Sequence, residues 1–246
     1  MKVTCRVSAD DHGAEVCQDI ESFFSFVEEE RQRIEVLEHD HHQQMLFLAL
    51  LDTLSKCAFP EMGNGEGGHR FVRLIDEYSG WAAKDRVSLP ELKLVLEREQ
   101  GMADGSLYAD VTRRLSTWIP PQITRPDADP FSWELQADSR DEQESVRKCM
   151  YKELIYTLRN YCLHEFRTPG NAMPLSNDDS TPYYHWLSGG DRWELYISVR
   201  VISNLVRGCC VRLRAALEEA GRSPYDSYDF GPGWVRGRQR FRGEGR

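Results

Sequence analysis

The chain has 246 residues, of which 40% are hydrophobic, and a formal net charge of -9. This length and composition allow a folded domain with a buried core, while the acidic balance excludes a surface that is basic throughout, so any contact with nucleic acid must come from a local patch. The sequence contains no apolar run of about 18 residues and no apolar block near its start, so we expect a cytoplasmic protein without a membrane span or a signal peptide.

The first half of the chain is predicted to contain a polar arm and a series of helices. Residues 1–18 form the arm, and apolar residues then recur at helical spacing. The segment 43–57 is apolar on most sides, which predicts a central buried helix. Further helical patterns occupy residues 69–81, 88–101 and 106–118. Ser88 and Pro90 fit the N-cap and the first turn of the middle one.

The second half begins with a proline-rich connector, residues 119–137, which is predicted to be irregular and to break the helical series into two parts. A single long helix is predicted from residue 138 onward. Its apolar or aromatic residues follow one another at four-residue spacing: Val146, Met150, Leu154, Leu158, Cys162 and Phe166. Pro169 predicts its end near Arg167, because a proline disfavours helix at the preceding residue.

Two short β-like runs, residues 183–187 and 193–197, predict a small hairpin. Residues 199–220 predict an amphipathic helix with Gly221 at its C-cap. Residues 221–246 are rich in glycine and arginine, a composition that rarely packs, and are predicted to form a flexible tail. Together these patterns indicate an all-α fold with a β-hairpin insertion, in one helical domain, 19–220, whose parts are the helices 19–118, the connector 119–137 and the segment 138–220.

One segment near the end of the long helix, LRNYCLHEFRTPG, carries a distinctive set of polar residues. Arg159 is followed directly by Asn160, and His164 comes shortly afterwards. In this the chain resembles the HEPN superfamily, whose helical domains carry an arginine, usually a following polar residue, and then a histidine near the end of a long helix. The same loose spacing occurs twice upstream, but only this copy has the adjacent Asn160, the long helix and the proline-enforced end. The resemblance implies a helical bundle of HEPN type.

The resemblance also implies RNA cleavage without a metal ion or cofactor, with Arg159, Asn160 and His164 as catalytic residues. Such cleavage requires a base for the 2′-hydroxyl, an acid for the leaving oxygen and positive charge on the phosphorane-like transition state. Histidine exchanges protons near neutral pH, and arginine matches phosphate oxygens with a charged fork. RNA is therefore the expected partner, and the use of the family in prokaryotic toxin, stress and antiviral-defence systems makes an antitoxin or another protein a further candidate.

The helical positions of Arg159 and His164 predict a dimer. On a straight helix the two side chains lie about 140° apart, so one helix does not bring them together easily. A two-fold dimer would place both copies of the motif around one cleft, as is common in the family, and we expect a homodimer that pairs near residues 156–167. The C-terminus of the helix should also favour the protonated imidazole of His164, which suits a general acid.

Arg167, Tyr184 and His185 are candidate substrate-binding residues. The last two belong to the aromatic cluster 183–186, whose rings could stack on unpaired bases. The alternative is that this cluster packs in the core and in the hairpin. The arginines of the tail, with Trp234 and Phe241 between them, could similarly follow a phosphate backbone or form a solubilising end.

Glu35, His39 and His42 would share one helical face as possible zinc ligands. The alternative is a solvated helix junction, and we predict no metal. The cysteines contain no CxxC pair, which is consistent with reduced thiols and argues against a zinc knuckle.

Three functions follow from these residues. The first is a metal-independent endoribonuclease of HEPN type. The second is a non-catalytic helical adaptor that binds RNA or a partner protein, in which Arg159 and His164 only fix the packing of the helix. The third is a metal-dependent hydrolase centred on His39 and His42.

Overall fold

The computed structural model describes residues 11–62, 64–99, 102–119, 128–170, 180–187 and 192–227. Within these ranges the chain forms eight α-helices and one antiparallel hairpin, which confirms the expected fold class. The helices are α1 (Asp11–Glu35), α2 (Asp40–Ala58), α3 (Gly67–Tyr78), α4 (Leu89–Arg98), α5 (Ser106–Leu115), α6 (Arg140–Lys148), α7 (Tyr151–Glu165) and α8 (Val199–Ala220). The strands are β1 (Tyr183–Leu187) and β2 (Arg192–Tyr196).

The larger hydrophobic core lies between α1, α2, α3, α7 and α8, and α2 is at its centre. This helix packs against the other four. Four of its apolar side chains, Phe47, Leu48, Leu51 and Leu54, are fully buried. The prediction of a central buried helix is confirmed, and burial of each of these side chains contributes about 1.5–3 kcal/mol to stability.

A second, smaller core joins segments from both sides of the proline-rich connector. It contains Leu92 and Leu96 of α4 and Val111 of α5, packed with Leu135 and Val146. The two parts of the helical series, which the prolines were expected to separate, therefore share a core. The prolines end the helical pattern, but they do not prevent the segments on either side from packing together. A proline constrains the backbone locally and does not determine which side chains meet in the core.

Helix α1 begins earlier than predicted. It starts at Asp11, so residues 11–18 belong to the helix and not to the polar arm. Val16 is buried in the larger core, as is Ile20 one turn later. Few apolar residues lie in this stretch, so its pattern was too weak to predict the turn, and packing against the core stabilises it. Residues 1–10 of the predicted arm lie outside the described residues.

The single long helix predicted from residue 138 is instead two helices, α6 and α7, with a break at Cys149 and Met150. The backbone at the break pairs with the segment that precedes α4. The amide of Ser88 donates to the carbonyl of Cys149 (3.0 Å), and the amide of Tyr151 donates to the carbonyl of Arg86 (2.9 Å). These hydrogen bonds replace the ones that a continuous helix would make at this point. The four-residue apolar spacing runs across the break, so the sequence pattern does not reveal it.

The hairpin and α8 match the sequence predictions. Strands β1 and β2 pair in antiparallel register, with Tyr184 opposite Leu195. Helix α8 ends at Ala220, and Gly221 adopts the left-handed conformation (φ 57°) of a C-cap. Ser88 accepts a hydrogen bond from the amide of Glu91 at the start of α4, which confirms its predicted role as N-cap.

The first residues of the predicted tail are packed, which corrects its boundary. Arg222 Nη2 donates to the carbonyl of Ala58 at the end of α2 (2.9 Å). Ser223 donates to Asp19 (2.6 Å), and the Tyr225 ring contacts Phe23 of α1. The carbonyls at a helix C-terminus have no partner within the helix, and a cation that binds them explains why this segment docks despite its composition. Residues 228–246, with Trp234 and Phe241, lie outside the described residues.

Among the described residues, no helix has the length and apolar character needed to cross a lipid bilayer. Five described cysteines form no disulfide bond, and four of them are buried: Cys57, Cys149, Cys162 and Cys209. Cys17 is disulfide-bonded, which differs from the expectation that all thiols are reduced.

Candidate functional site

The C-terminal half of α7 presents the Arg159, Asn160 and His164 motif. Ile155, Leu158 and Cys162 bury one side of this helix in the larger core, which fixes its rotation. The helix ends at Glu165, because Phe166 adopts a left-handed conformation (φ 54°) and its amide donates to the carbonyl of Tyr161. The predicted end near Arg167 is thus correct to within two residues, and His164 lies in the last turn.

The Arg159 guanidinium is held by three partners. Its Nη2 donates to Asp52 Oδ2 of α2 (2.6 Å), and its Nη1 donates to Asn160 Oδ1 (3.0 Å). The same Nη1 lies 2.8 Å from His164 Nε2. The side chain is largely buried, and its Nε is enclosed without a hydrogen-bond partner among the described residues.

Arg159 and His164 therefore converge within one chain, contrary to the expectation from their helical positions. The angle of about 140° describes where the Cβ atoms point. The long arginine side chain crosses that angle, and Asp52 holds the guanidinium on the same side as the imidazole. A dimer is not needed to bring the two groups together, so the argument that led to the predicted homodimer no longer holds, although a dimer itself remains a prediction.

The contact between Arg159 and His164 has a consequence for the direction of the hydrogen bond. Arginine has no acceptor atom, so a hydrogen bond between the two requires that His164 Nε2 accept and carry no proton. In that tautomer the ring proton is on Nδ1, and the protonated form expected at the C-terminus of the helix stays a prediction. His164 is exposed, so the unprotonated Nε2 can be reached from solvent.

Asp52 is the member of this site that sequence reasoning missed. It lies on the helix α2, more than a hundred positions from Arg159 in the sequence. One signal was present: Asp52 is the only charged residue in the apolar run MLFLALLDTL. A carboxylate in a helix that is otherwise buried requires a cationic or hydrogen-bonding partner.

Arg167 lies beside the motif, as a substrate-binding residue would. Its guanidinium stacks over the Tyr161 ring at 4.2 Å from the centroid and donates to Glu165 Oε2 (2.8 Å). The side chain is half exposed, so the Glu165 pair contributes little to stability and can exchange for another anion.

Tyr184 is fully buried, which corrects its assignment as a substrate-binding residue. Its hydroxyl donates to Asp129 Oδ2, as does the hydroxyl of Tyr151 (2.6 Å). The amide of Leu89 donates to the other carboxylate oxygen (3.0 Å). Tyr184 thus joins β1 to the connector and to α4 and α7, and its ring cannot stack on a base. The alternative of hairpin and core packing is the correct one for this residue.

His185 is partly buried and lies opposite Glu194 in the hairpin. Its Nε2 is enclosed and has no hydrogen-bond partner among the described residues. It does not contact His164 or Arg159 within hydrogen-bonding distance in the described part of the chain. Its proposed role in substrate binding stays a prediction.

The buried Asp129 carboxylate predicts a specific pH dependence of stability. Burial raises its pKa from 3.8 to about 6, and the hydrogen bonds from the tyrosines only partly offset this rise. Between these values the unfolded chain has lost a proton that the folded protein retains, so folding becomes less favourable as pH rises from 4 to 6, by at most about 3 kcal/mol. Asparagine does not titrate, so we expect the free energy of unfolding of Asp129→Asn to rise relative to that of wild type by up to about 3 kcal/mol between pH 4 and pH 7. Urea unfolding at several pH values measures this, and a parallel pH dependence of the two proteins would contradict it.

The histidines 39, 41 and 42 lie next to the end of the motif helix. The His41 ring packs edge-on against Phe166, with 4.9 Å between centroids, and His42 also contacts Phe166. Glu35 is directed elsewhere, since it pairs with Arg31 and accepts from Ser203. No group of three or more histidine, cysteine or acidic residues in the described ranges is placed to hold a metal ion, so the zinc site considered for Glu35, His39 and His42 is not formed.

A cleft of about 290 Å³ opens beside α7, between α4 and β2. Thr157 and Tyr161 contribute its α7 wall, and the chain from Thr168 to Gly170, directly after the motif helix, forms part of its rim. The cleft and the Arg159 site are thus on adjacent sides of one helix end.

No protein-family model matches the sequence, and neither a curated protein nor a solved structure matches it. The resemblance to HEPN domains therefore depends on the motif residues Arg159, Asn160 and His164 alone. Their chemistry is the basis on which a function can be assigned.

Proposed function

We propose that this protein is a metal-independent endoribonuclease of HEPN type, which cleaves RNA at Arg159 and His164. The observation that carries the proposal is the 2.8 Å contact between Arg159 Nη1 and an exposed His164 Nε2. A fixed guanidinium next to an accessible, unprotonated imidazole nitrogen provides the two groups that RNA cleavage needs first. The resemblance implies a place in a prokaryotic toxin, stress or antiviral-defence system.

The proposed reaction begins when a phosphate of RNA replaces His164 as the partner of Arg159 Nη1. His164 Nε2 is then free to accept the proton of the adjacent 2′-hydroxyl. The 2′ oxygen attacks phosphorus and the bond to the 5′ oxygen breaks, leaving a 2′,3′-cyclic phosphate. Asp52 keeps Nη2 in place throughout, so the guanidinium does not have to reorganise as charge develops on the phosphate oxygens.

The leaving 5′ oxygen needs a proton from another group. In a homodimer this would be the protonated His164 of a second copy, and in a monomer it would be water. The exposed Phe166, next to the motif, and the exposed Leu46 on α2 give this end of the molecule apolar side chains that a second copy could cover. We include in this proposal that the protein forms a homodimer and that it binds an antitoxin or another protein.

The test is cleavage of mixed cellular RNA by wild type and by His164→Ala, with and without EDTA. We expect wild-type activity that survives EDTA, ends that carry cyclic phosphate, and a loss of about 100-fold or more in the variant, because a general base contributes on that order. His69→Ala is the matched control, since His69 is an exposed histidine on α3. Activity that is absent from wild type, or equal in wild type and His164→Ala, would overturn the proposal.

A non-catalytic adaptor that binds RNA or a protein is the second candidate function. It is favoured by the degree to which Arg159 is already engaged, with Asp52, Asn160 and His164 as partners. An arginine in such a network can serve only to fix α7 against α2. For an adaptor, wild type would bind RNA without cleaving it, and His164→Ala would bind equally well.

A further inference from the structure

The cleft between α4, α7 and β2 contains two carboxylates that differ in their surroundings. Glu194 is buried and accepts from Arg192 Nε (2.9 Å) of the same strand. Glu91 has no hydrogen bond to its carboxylate among the described residues, although it lines the same cleft. Arg98 lies on the rim. The cleft thus offers one carboxylate with a hydrogen-bond partner, one without such a partner among the described residues, and a nearby cation.

Glu91 is unsatisfied because its usual partner is used elsewhere. The sequence Ser88-Leu89-Pro90-Glu91 is a capping-box pattern, in which the glutamate side chain reaches back to the amide of the serine. Here that amide donates to the carbonyl of Cys149 (3.0 Å), at the break between α6 and α7. The half of the box that remains is the bond from the Glu91 amide to Ser88 Oγ. The carboxylate is left in the cleft, where burial raises its pKa, Arg192 partly offsets the rise and Glu194 adds to it.

The cleft also has an aromatic wall next to the motif. Tyr161 lies one turn before His164 on α7, and the guanidinium of Arg167 covers its ring. Trp193 of β2 lines the cleft from the other side. A volume of about 290 Å³ is at the lower end of the range for small-ligand pockets and does not admit a polynucleotide chain.

We propose that this cleft binds a guanine base, with the Glu91 carboxylate accepting from the N1–H and N2–H groups of its Watson–Crick edge. These two adjacent donors match the two oxygens of one carboxylate. Adenine and cytosine present an amino donor next to a ring-nitrogen acceptor, and uracil presents one donor between two carbonyls, so each would place a lone pair against Glu91. Arg98 and Arg192 line the same cleft, and their positive charge would attract the phosphate of the same nucleotide.

Guanine has two sources, an RNA nucleotide next to the cleaved phosphate and a free guanine nucleotide. If the guanine belongs to RNA, the inference rests on the proposed nuclease function, and Glu91 would determine which base lies next to the cleaved phosphate. The rim of the cleft, Thr168 to Gly170, follows the motif helix directly, so a base in the cleft lies close in the structure to the His164 end of α7. Binding of a free guanine nucleotide does not depend on the nuclease function.

The binding test uses the intrinsic fluorescence of the full chain, because Trp193 lines the cleft. GMP, AMP, CMP and UMP are titrated into wild type, Glu91→Gln and the control Glu97→Gln, an exposed glutamate on the same helix. We expect wild type and Glu97→Gln to prefer GMP, and Glu91→Gln to bind GMP at least 10-fold more weakly, because an amide replaces one acceptor by a donor. Equal thermal midpoints of the three proteins establish that the variants are folded.

The second readout is the base found next to the ends produced from mixed RNA. We expect guanine to be enriched at the wild-type ends and the enrichment to disappear in Glu91→Gln. Selective GMP binding without any cleavage supports the cleft as a site for free nucleotide and removes the proposed nuclease function. Cleavage with no base preference and no selective GMP binding leaves the nuclease and overturns the guanine site, as does selective binding that Glu91→Gln does not weaken.

Discussion

Replacing Asp129 with alanine is expected to lower the free energy of unfolding by about 3–5 kcal/mol. The carboxylate is buried and accepts hydrogen bonds from Tyr151, Tyr184 and the amide of Leu89. These donors come from α7, β1 and α4, so the loss affects the junction of three elements. Without the carboxylate, the two hydroxyls can still bond to each other (3.2 Å apart), but the Leu89 amide is left buried without an acceptor.

The measurement is urea unfolding of wild type, Asp129→Ala and Asp104→Ala. Asp104 is exposed, so its replacement should change stability by less than about 0.5 kcal/mol. At pH 4, where the raised pKa keeps the carboxyl of folded Asp129 protonated, Asp129→Asn retains one oxygen acceptor and should lie between wild type and Asp129→Ala. A loss below about 1 kcal/mol for Asp129→Ala would show that this carboxylate does not hold the junction together.

Replacing Gly208 with alanine should destabilise the protein by about 3 kcal/mol, although alanine is normally the better helix former by about 1 kcal/mol. Gly208 lies within α8, where it passes the end of α3. A Cβ built at this position falls 2.2 Å from the carbonyl oxygen of Ser79. Because that atom belongs to the backbone, the two helices would have to separate to make room.

The matched control is Gly65→Ala, since a Cβ at Gly65 meets no atom within 4 Å. Denaturant midpoints of both variants and wild type provide the comparison. Stabilisation by Gly208→Ala, as helix propensity alone predicts, would mean that α3 and α8 are farther apart than described.

The candidate site divides into a part that the sequence reveals and a part that it does not. Arg159, Asn160 and His164 could be identified because they lie close together in one helix with a defined end. Asp52 could not be assigned to them, because its contact with Arg159 depends on how α2 packs against α7. The convergence of Arg159 and His164 was missed for the same reason, since the position of a long side chain depends on its partner and not on helical angle alone.

Local patterns in the sequence are enough to predict the all-α class, the central helix α2, the caps Ser88 and Gly221 and the hairpin, because each depends on periodicity or on one residue's backbone preference. The break between α6 and α7, the burial of Tyr184 on Asp129 and the docking of residues 222–227 depend on contacts between distant parts of the chain. In each of these cases a hydrogen bond to a residue distant in sequence replaces or overrides a local preference. Such bonds form only when packing of the two apolar cores brings the partners together, and a local pattern contains no information about that distance.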